Sequence, residues 1–316
     1  MKRSMTLSRN SLPSSFQRKC RKILTSWQLY VLILPALIYL FIFCYKPMYG
    51  VIIAFKDFKP GLGIMDSKWV GFKHFTRFLN LPAFWDILTN TLGISIYSLL
   101  ATFPLPVILA LSMNCIECKW FKKTIQTVTY APHFISTVVI VGMVEILFHP
   151  NTGIVNHLVQ LFGADPIFFM GKPEYFKHMY VWSGVWQGMG WSSIIYLAAL
   201  SGVDPSLHEA AEVDGASRWQ RVWNIDLPTI IPTIVIMLIL NCGKIMNVGF
   251  EKAYLMQNPL NLEAAEIIST YVYKIGIIDA QFSFSTAVGL FNSIINIILL
   301  LTVNKISSKL TETSLW

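Results

Sequence analysis

Residues 88–113 read LTNTLGISIYSLLATFPLPVILALSM, 26 residues in a row without a charged side chain. A helix needs about 20 mostly apolar residues to cross the hydrocarbon core of a bilayer. The stretch is therefore long enough for one membrane span, and five further segments of the chain meet the same criterion. The six predicted spans are residues 27–45, 88–113, 125–148, 179–202, 229–250 and 284–303.

The composition of the whole chain agrees with this interpretation. Of its 316 residues, 54% are hydrophobic and only 13% are charged, whereas soluble domains contain about 25% charged residues. A soluble protein of this length could not cover its surface with so few charges, and the high apolar content excludes intrinsic disorder. The sequence predicts an all-α polytopic membrane protein with six transmembrane helices.

Positive charge is concentrated before the first span. The chain has a formal net charge of +8, and its first 22 residues contain seven Lys and Arg side chains and no acid. Such an excess holds a segment in the cytoplasm. No RNA-binding signature accompanies it, so we expect membrane lipid as its surroundings and no nucleic acid. Because six is even, both termini are predicted to be cytoplasmic. The predicted organisation is a basic cytoplasmic tail at 1–26, a six-span transmembrane domain at 27–303 and a cytoplasmic C-terminal tail at 304–316.

The cytoplasmic loop at 203–228, between the fourth and fifth spans, has its own local structure. Asp204 can cap a helix that has a proline at its favoured first position, and Gly215 supplies the positive φ that ends it. Ser217 can cap a second helix, and Pro228 would start the next span. The loop is therefore predicted to form two short helices at an angle. A connector lying on the membrane surface is the alternative, but it does not explain two structured helices with exposed apolar and acidic residues.

The same loop carries three short signatures at fixed spacing, EAA at 209–211, DGA at 214–216 and IDLP at 225–228, followed by Pro232. They resemble the EAA motif of importer permeases in the ATP-binding cassette (ABC) family, with Trp223 where that family often has phenylalanine. The resemblance implies that the loop forms coupling helices, which dock in a groove of the ATPase subunit. The implied ATPase-coupling residues are Glu209, Ala210, Ala211, Asp214, Gly215, Ala216, Leu227 and Pro228.

Stretches outside the loop resemble one branch of that family, the permeases for oligosaccharides and complex polysaccharide fragments. These stretches are YGVIIAFKDF at 49–58, WVGFKHF at 69–75, NVGFE at 247–251, NKIS at 304–307 and ETSLW at 312–316. The resemblance implies the ABC type I importer permease fold in a cell (plasma) membrane. It also implies four partners: a cytoplasmic ABC ATPase dimer, a second permease subunit that is a different homologous chain, an extracellular solute-binding protein and an oligosaccharide substrate.

The chain itself lacks motifs for chemistry. A P-loop needs G-x-x-x-x-G-K-[ST], and neither of the two Gly-Lys pairs has the first glycine at the required distance. Cys115 and Cys118 form a lone C-x-x-C pair without the further ligands of a zinc site. No grouping of Ser, His and Asp suggests a catalytic centre. We therefore expect no catalytic residue, metal or cofactor on this chain, with ATP and Mg²⁺ on the partner ATPase.

Candidate substrate contacts lie in the fourth and fifth spans. Sugars present C–H faces and hydroxyl edges, so their sites combine aromatic platforms with amide and charged partners. Lys244 is charged inside a predicted span, where burial is costly. In importers of this kind the later helices line the pathway, which is an implication of the resemblance. The alternative is that the tryptophans belong to interfacial belts or pack between helices. The candidate pathway residues are Trp182, Trp186, Gln187, Trp191, Asn241, Lys244, Asn247, Phe250 and Glu251.

Two functions are compatible with the sequence. The first is the transmembrane permease subunit of an ATP-driven importer for an oligosaccharide or polysaccharide fragment. In this function Glu209 would make a charge contact with the ATPase, and Gly215 would be the hinge turn. The second is a self-sufficient secondary carrier or channel for a small polar solute, which would transport by itself with an ion gradient. A membrane-embedded enzyme lacks any visible catalytic set.

Overall fold

The computed structural model describes residues 27–311, which fall into two units divided after Ile52. The predicted basic tail at 1–26 and the end of the predicted C-terminal tail, 312–316, lie outside the described residues. Within the described part the chain is almost entirely helical, and strands occur in a single two-stranded sheet. The prediction of an all-α protein is confirmed.

The first unit consists, in its described part, of one apolar helix. Helix α1 (Trp27–Tyr39) continues through a π turn at Leu40–Tyr45 and a helical turn at Lys46–Met48 into a 3-10 helix at Tyr49–Phe55. The whole run is 29 residues long and apolar enough to cross a membrane. The span predicted at 27–45 therefore lies within a helix that extends to Phe55.

The second unit begins with a short hairpin and a helix. Strands β1 (Lys56–Asp57) and β2 (Lys68–Trp69) pair antiparallel. Helix α2 (Gly63–Asp66) lies between them, and α3 (Lys73–Leu79) follows. The Phe55 ring stacks on Trp69 with the ring centroids 5.8 Å apart, so an aromatic contact supports the hairpin.

Two consecutive helices form the next predicted span. Helices α4 (Phe84–Thr102) and α5 (Pro104–Asn114) are separated by one residue. Together they give a run of 31 residues that is long and apolar enough to cross a membrane. A proline at the first position of α5 has no helical hydrogen bond to lose there. The predicted span 88–113 lies within this run, which starts four residues earlier in the chain.

The residues of the predicted span 125–148 form a bent pair of helices rather than one continuous helix. Helix α6 (Lys119–Tyr130) passes into a 3-10 turn at Ala131–Phe134, and α7 (Thr137–Leu147) leaves at an angle of 102°. A proline in the 3-10 turn lacks the backbone N–H that a continuing helix would need. Ser136 then caps α7 with a side-chain hydrogen bond, so the chain starts a new helix instead of continuing the old one.

Helix α9 is the central helix of the second unit. Helix α8 (Ile154–Leu161) and a 3-10 turn at Phe169–Gly171 lead into α9 (Pro173–Leu200), which packs against α4, α5 and α6. At Gly190 any side chain would collide with the backbone of Thr129 in α6. The glycine therefore allows α6 to cross α9 at close range.

Buried apolar side chains hold α9 to its neighbours. Near the start of α9, Phe176 and Met179 belong to a cluster that includes Ile94 of α4. Near its end, Leu200 is buried together with Ala110 of α5. Both ends of α9 are thus fixed to the helix pair α4–α5, which makes this group of helices a common scaffold for the sites described below.

The loop after α9 forms one short helix and the start of a long one. Helix α10 (Pro205–Val213) is followed by α11 (Arg218–Arg221), a π turn at Val222–Asp226 and α12 (Leu227–Cys242). The last three form one helix of 25 residues. The predicted second short helix is therefore not separate, and Pro228 does not start the span. The π turn lies directly before Pro228, where a regular α-helix would need the N–H that proline lacks.

The helix of the fifth predicted span, 229–250, stops eight residues before the predicted end of the span. Helix α12 stops at Cys242, residues 243–249 are not helical, and α13 (Phe250–Met256) begins a new helix. Asparagine side chains of the last helix take over the hydrogen bonding of this non-helical segment, as described below.

The described part of the chain ends in a long helix. Helix α14 (Leu262–Ala265) and α15 (Ile268–Tyr273), with a π turn at Lys274–Ile278, precede α16 (Phe282–Thr311). Helix α16 packs against α3, α12 and α15. It contains the predicted span 284–303 and continues as a helix into the predicted tail.

Several helices of the described residues could cross a membrane. Four of their helical runs are long and apolar enough to cross a membrane, and the bent pair α6–α7 would make a fifth. Helix α9 is not among them, although its 28 residues extend about 42 Å at a rise of 1.5 Å per residue. The structure supports a helical multi-pass membrane protein, and the count of six spans stays a prediction.

Candidate functional site

The elbow, defined as residues 204–228, is built from local capping interactions. Asp204 Oδ1 accepts a hydrogen bond from the backbone N–H of Ser206 at 2.9 Å, and this bond lowers the pKa of the Asp204 carboxyl. At the other end of α10, Gly215 has a φ of +77°. Ser217 opens α11 with a capping box. The caps that the sequence predicts are therefore present.

Gly215 ends α10 in the manner of a glycine C-cap. The N–H of Ala216 donates to the carbonyl of Ala211 at 2.8 Å, and the N–H of Gly215 donates to that of Glu212 at 3.0 Å. Nothing lies within 4 Å of the position that a Cβ of Gly215 would take, so the backbone conformation alone favours glycine here. Of the other predicted coupling residues, Asp214 and Pro228 are exposed, whereas Ala216 and Leu227 are half-buried.

Helix α10 is largely exposed. Glu209 and Ala210 are exposed and Ala211 is half-buried. Leu207 and Val213 expose 50% and 88% of their surface. Because they are six residues apart, they lie on different sides of the helix. Sequence reasoning did not select these two residues, although aliphatic side chains within so polar a helix were the available signal.

A buried carboxylate connects α10 to the helices behind it. Asp226 is only 2% exposed. His208 Nε2 of α10 lies 3.2 Å from Asp226 Oδ1, and Asn114 Nδ2 at the end of α5 donates to the same oxygen at 3.3 Å. A buried carboxylate is costly without such partners. The three side chains therefore link the elbow to α5 and to the helix that becomes α12.

Two ion pairs complete the inner side of the elbow. Arg221 Nη1 pairs with Glu212 Oε1 of α10. Arg218 Nη2 lies 2.7 Å from Glu117 Oε1 in the loop after α5, and because both are largely exposed this pair contributes only about 0–1 kcal/mol. Within the described part of the chain Glu209 forms no ion pair. Its carboxylate is therefore available to a partner.

A polar cavity of about 220 Å³ lies at the other end of α12. It is an open cavity lined by the middle of α4, by Tyr180 of α9, and by the end of α12 with the non-helical segment that follows it. Three predicted pathway residues, Asn241, Lys244 and Asn247, lie together in its wall. The sequence alone could not predict that they share one cavity. The other polar lining residues are Ser95, Ser98, Thr102 and Tyr180.

Two asparagines of α16 hold the non-helical segment in place. Asn296 Oδ1 accepts a hydrogen bond from the N–H of Met246 at 3.1 Å. Asn296 Nδ2 and Asn292 Nδ2 donate to Asn247 Oδ1 at 3.1 and 3.2 Å. Backbone that leaves a helix at membrane depth needs such replacement partners. Sequence reasoning missed both α16 residues, and their signal was a pair of amides one helical turn apart in an apolar helix.

The four predicted pathway residues on α9 lie away from this cavity. Gln187 Nε2 donates a hydrogen bond to the Ile135 carbonyl at 2.9 Å. It thereby supplies a partner for a backbone group at the break between α6 and α7. Trp191 stacks on His133 with the ring centroids 4.5 Å apart. These two side chains support the fold around α6. Trp182 and Trp186 instead line an apolar cavity of about 430 Å³ between α7 and α9.

The last two predicted pathway residues lie on α13. Phe250 packs on Tyr273 at a centroid distance of 4.9 Å, and Glu251 is exposed. The next residue of α13, Lys252, is 8% exposed and donates from Nζ to the carbonyl of Tyr180 at 2.8 Å. Burial lowers the pKa of Lys252 to about 8. Sequence reasoning missed this lysine because it looks like an ordinary loop residue.

The sequence and the fold of this chain are similar to those of known transport proteins. Residues 103–312 match the family described as "Binding-protein-dependent transport system inner membrane component". The chain is 43% identical over 295 residues to the polygalacturonan/rhamnogalacturonan transport system permease protein YteP of Bacillus subtilis (strain 168), an alignment that covers 93% of this chain and 92% of that protein. It is also similar to a chain in the crystal structure of a bacterial ABC transporter involved in the import of the acidic polysaccharide alginate. That chain has 40% sequence identity and a TM-score of 0.85, with 93% of this chain and 99% of the other covered.

A second solved structure shows a similar chain in a larger assembly. It is the bacterial alginate ABC transporter in complex with an alginate pentasaccharide-bound periplasmic protein, with 39% sequence identity and a TM-score of 0.85. The matched regions include the elbow, α9, α12 and the segment that lines the polar cavity. The family consists of transport subunits rather than enzymes. The chain belongs to the family of binding-protein-dependent transport system inner membrane components, the permease subunits of ABC transporters.

Proposed function

We propose that this chain is the transmembrane permease subunit of an ATP-driven importer for an oligosaccharide or polysaccharide fragment. The observation that carries the proposal is the exposure of α10. The charges on the inner side of the elbow are paired, whereas Glu209, Leu207 and Val213 on α10 are left exposed. A separate ATPase would contact this helix, and its movement would reach the spans through the elbow.

The substrate class is supported by what similar proteins transport. YteP is named for polygalacturonan and rhamnogalacturonan, and the solved relative takes part in the import of alginate. All three names describe polymers that contain sugar units. An oligomer of sugars is therefore the cargo proposed for this chain.

The partners follow from the same assignment. The solved relative in complex with a pentasaccharide-bound periplasmic protein supports an extracellular solute-binding protein. We further propose a cytoplasmic ABC ATPase dimer and a second, different permease chain. ATP and Mg²⁺ would be bound by the ATPase, and this chain would carry no cofactor of its own.

The proposed topology has six spans and both termini in the cytoplasm. Helix α9 would be the fourth span, and the bent pair α6–α7 would be the third. The pair Arg218–Glu117 supports this arrangement, because it joins the elbow to the loop after α5, and both loops must then lie on the same side. With the elbow cytoplasmic, that side is the one where the ATPase binds.

Helix geometry suggests how movement would travel from ATPase to cargo. The elbow and the polar cavity lie at the two ends of one helix, Arg218–Cys242, whose 25 residues extend about 37 Å. His208 and Asp226 tie α10 to the first turns of this helix. When ATP binding closes the ATPase subunits, a displacement of α10 would therefore tilt the helix whose far end carries Asn241. The cavity would change its access from the cytoplasmic to the outer side, where the binding protein delivers the sugar.

The proposal is tested by purifying the chain from its own membranes in mild detergent and identifying the proteins that co-elute. We expect an ATPase subunit and a second permease, and ATP-dependent sugar uptake after reconstitution with the binding protein. A chain that elutes alone and transports a solute without ATP would overturn the proposal in favour of a self-sufficient carrier or channel.

A further inference from the structure

The polar cavity at the end of α12 contains one cation and no acid in its lining. Lys244 is the single charged residue among the described side chains that surround it. Its ammonium group forms no ion pair within residues 27–311. Lys244 is exposed, and no acid in the lining of the cavity neutralises its charge. The cavity therefore offers an unneutralised positive charge to whatever enters it.

Hydrogen-bonding groups stand around this charge. Ser95 is 7% exposed, and its Oγ is buried without a hydrogen-bond partner in the described structure. Asn247 Oδ1 already accepts from two amides of α16, so its own NH₂ group remains as a donor. Ser98 and Thr102 add hydroxyl groups to the same wall. One cation among donors and hydroxyls suits an anion that carries hydroxyl groups.

The position of the cavity argues for a transported anion rather than a lipid headgroup. Ser95 and Thr102 lie in the middle of the run Phe84–Asn114. Lipid phosphates occupy the interface outside the hydrocarbon core, near the ends of such a helix. The α4 wall of the cavity therefore lies away from headgroups, along the path that a solute would cross.

We propose that this cavity binds the carboxylate of a sugar acid, with Lys244 as its counter-ion, so that Lys244 selects anionic over neutral oligosaccharides. The inference rests on the proposed import function and deepens it by naming the substrate class, oligosaccharides that contain uronate units. A lysine is a compact point charge on a flexible stem. It can follow a carboxylate that passes through, whereas a rigid bidentate clamp would retain it.

The test uses the complete transporter, this chain with its ATPase, second permease and binding protein, reconstituted in proteoliposomes. ATP-driven uptake of trigalacturonate is compared with uptake of its methyl ester, which has the same sugar chain without the negative charges. The diagnostic quantity is the ratio of the two rates. The preference of the binding protein is the same for every permease variant and cancels when ratios are compared.

We expect Lys244→Met to lower the trigalacturonate-to-ester ratio about tenfold, which corresponds to about 1.4 kcal/mol. Uptake of the ester should persist and so show that the variant is folded and assembled. Lys244→Arg should retain most of the ratio because it keeps the charge. Lys172→Met, at an exposed lysine outside the cavity, is the matched control and should behave as wild type.

An unchanged ratio in Lys244→Met, or an equal loss of acid and ester uptake, would overturn the selective role of Lys244. Equal uptake of acid and ester by the wild type would do the same. In these cases ATP-dependent sugar import stands, so the proposed function survives. Transport of the probes that does not depend on ATP would overturn the proposed function together with the inference.

Discussion

Replacing Gly215 by valine tests the elbow at a single backbone position. Gly215 has a φ of +77°, where an L-residue costs about 1–2 kcal/mol and a β-branched residue is a pronounced outlier. No atom lies within 4 Å of the position of the added Cβ. The added Cβ therefore meets no collision, and the main effect of the substitution comes from the backbone conformation.

The expected magnitude follows from the two ways in which the turn can respond. Valine can keep the strained φ, or the turn can rearrange and lose the hydrogen bonds from Ala216 to Ala211 and from Gly215 to Glu212, each worth about 1 kcal/mol. Either response costs about 1–3 kcal/mol. This is small against the packing of a membrane bundle but large for the orientation of α10, a helix of nine residues.

The assay measures ATP hydrolysis and sugar uptake in the same proteoliposomes. We expect Gly215→Val to reach the membrane in normal amounts, with uptake per ATP hydrolysed reduced about tenfold, the factor that corresponds to about 1.4 kcal/mol. Gly215→Asn is the matched control, because asparagine tolerates the left-handed region, and it should retain most of the coupling. Normal uptake in Gly215→Val would refute the reasoning, and so would an equal defect in both variants.

Three further predictions concern buried polar groups. Asp226→Ala removes the acceptor of His208 and should destabilise the elbow by about 1–3 kcal/mol. Limited proteolysis should cut the elbow of this variant faster than that of Asp226→Asn, which keeps an oxygen acceptor. Equal cleavage of the two variants would contradict the prediction. Asn296→Leu leaves the N–H of Met246 without its hydrogen-bond acceptor, at a cost of about 1–3 kcal/mol. The purified variant should therefore melt at a lower temperature than the wild type. An unchanged melting temperature would show that the N–H has another acceptor. Burial lowers the pKa of Lys252 to about 8 from 10.5. Between these values the unfolded chain holds a proton that the folded chain has released, so stability should rise with pH over this range. The difference in melting temperature between the wild type and Lys252→Met should therefore shift in favour of the wild type from pH 8 to pH 10, an interval within that pKa shift. A constant difference would argue against burial as the cause of the shift.

The candidate coupling site was largely predictable, but its anchoring was not. Asp204, Gly215 and Ser217 act through backbone groups a few residues away, so their roles follow from local capping rules. The buried position of Asp226 depends instead on Asn114, which lies in another helix. No local pattern relates these two residues, because only the packing of α5 against the elbow brings them together.

The candidate pathway residues also differ in how far the sequence could predict their partners. Gln187 was selected as a polar residue in a span, but its amide satisfies the carbonyl of Ile135 at a break in the chain. The sequence could indicate that such an amide needs a partner, yet not whether the partner would be backbone or cargo. Asn241 and Lys244 were selected by the same reasoning and do line a polar cavity.

The sequence by itself determined the helical membrane class, the positions of most long helices and the capped geometry of the elbow. These features depend on the thickness of the bilayer and on hydrogen bonds between near neighbours in the chain. Only the tertiary structure decided where helices break and which polar side chains meet. The end of α12 at Cys242 is stabilised by Asn292 and Asn296, about fifty residues away along the chain. In apolar surroundings each freed backbone group must find a partner, and the packing of distant helices determines which partner is within reach.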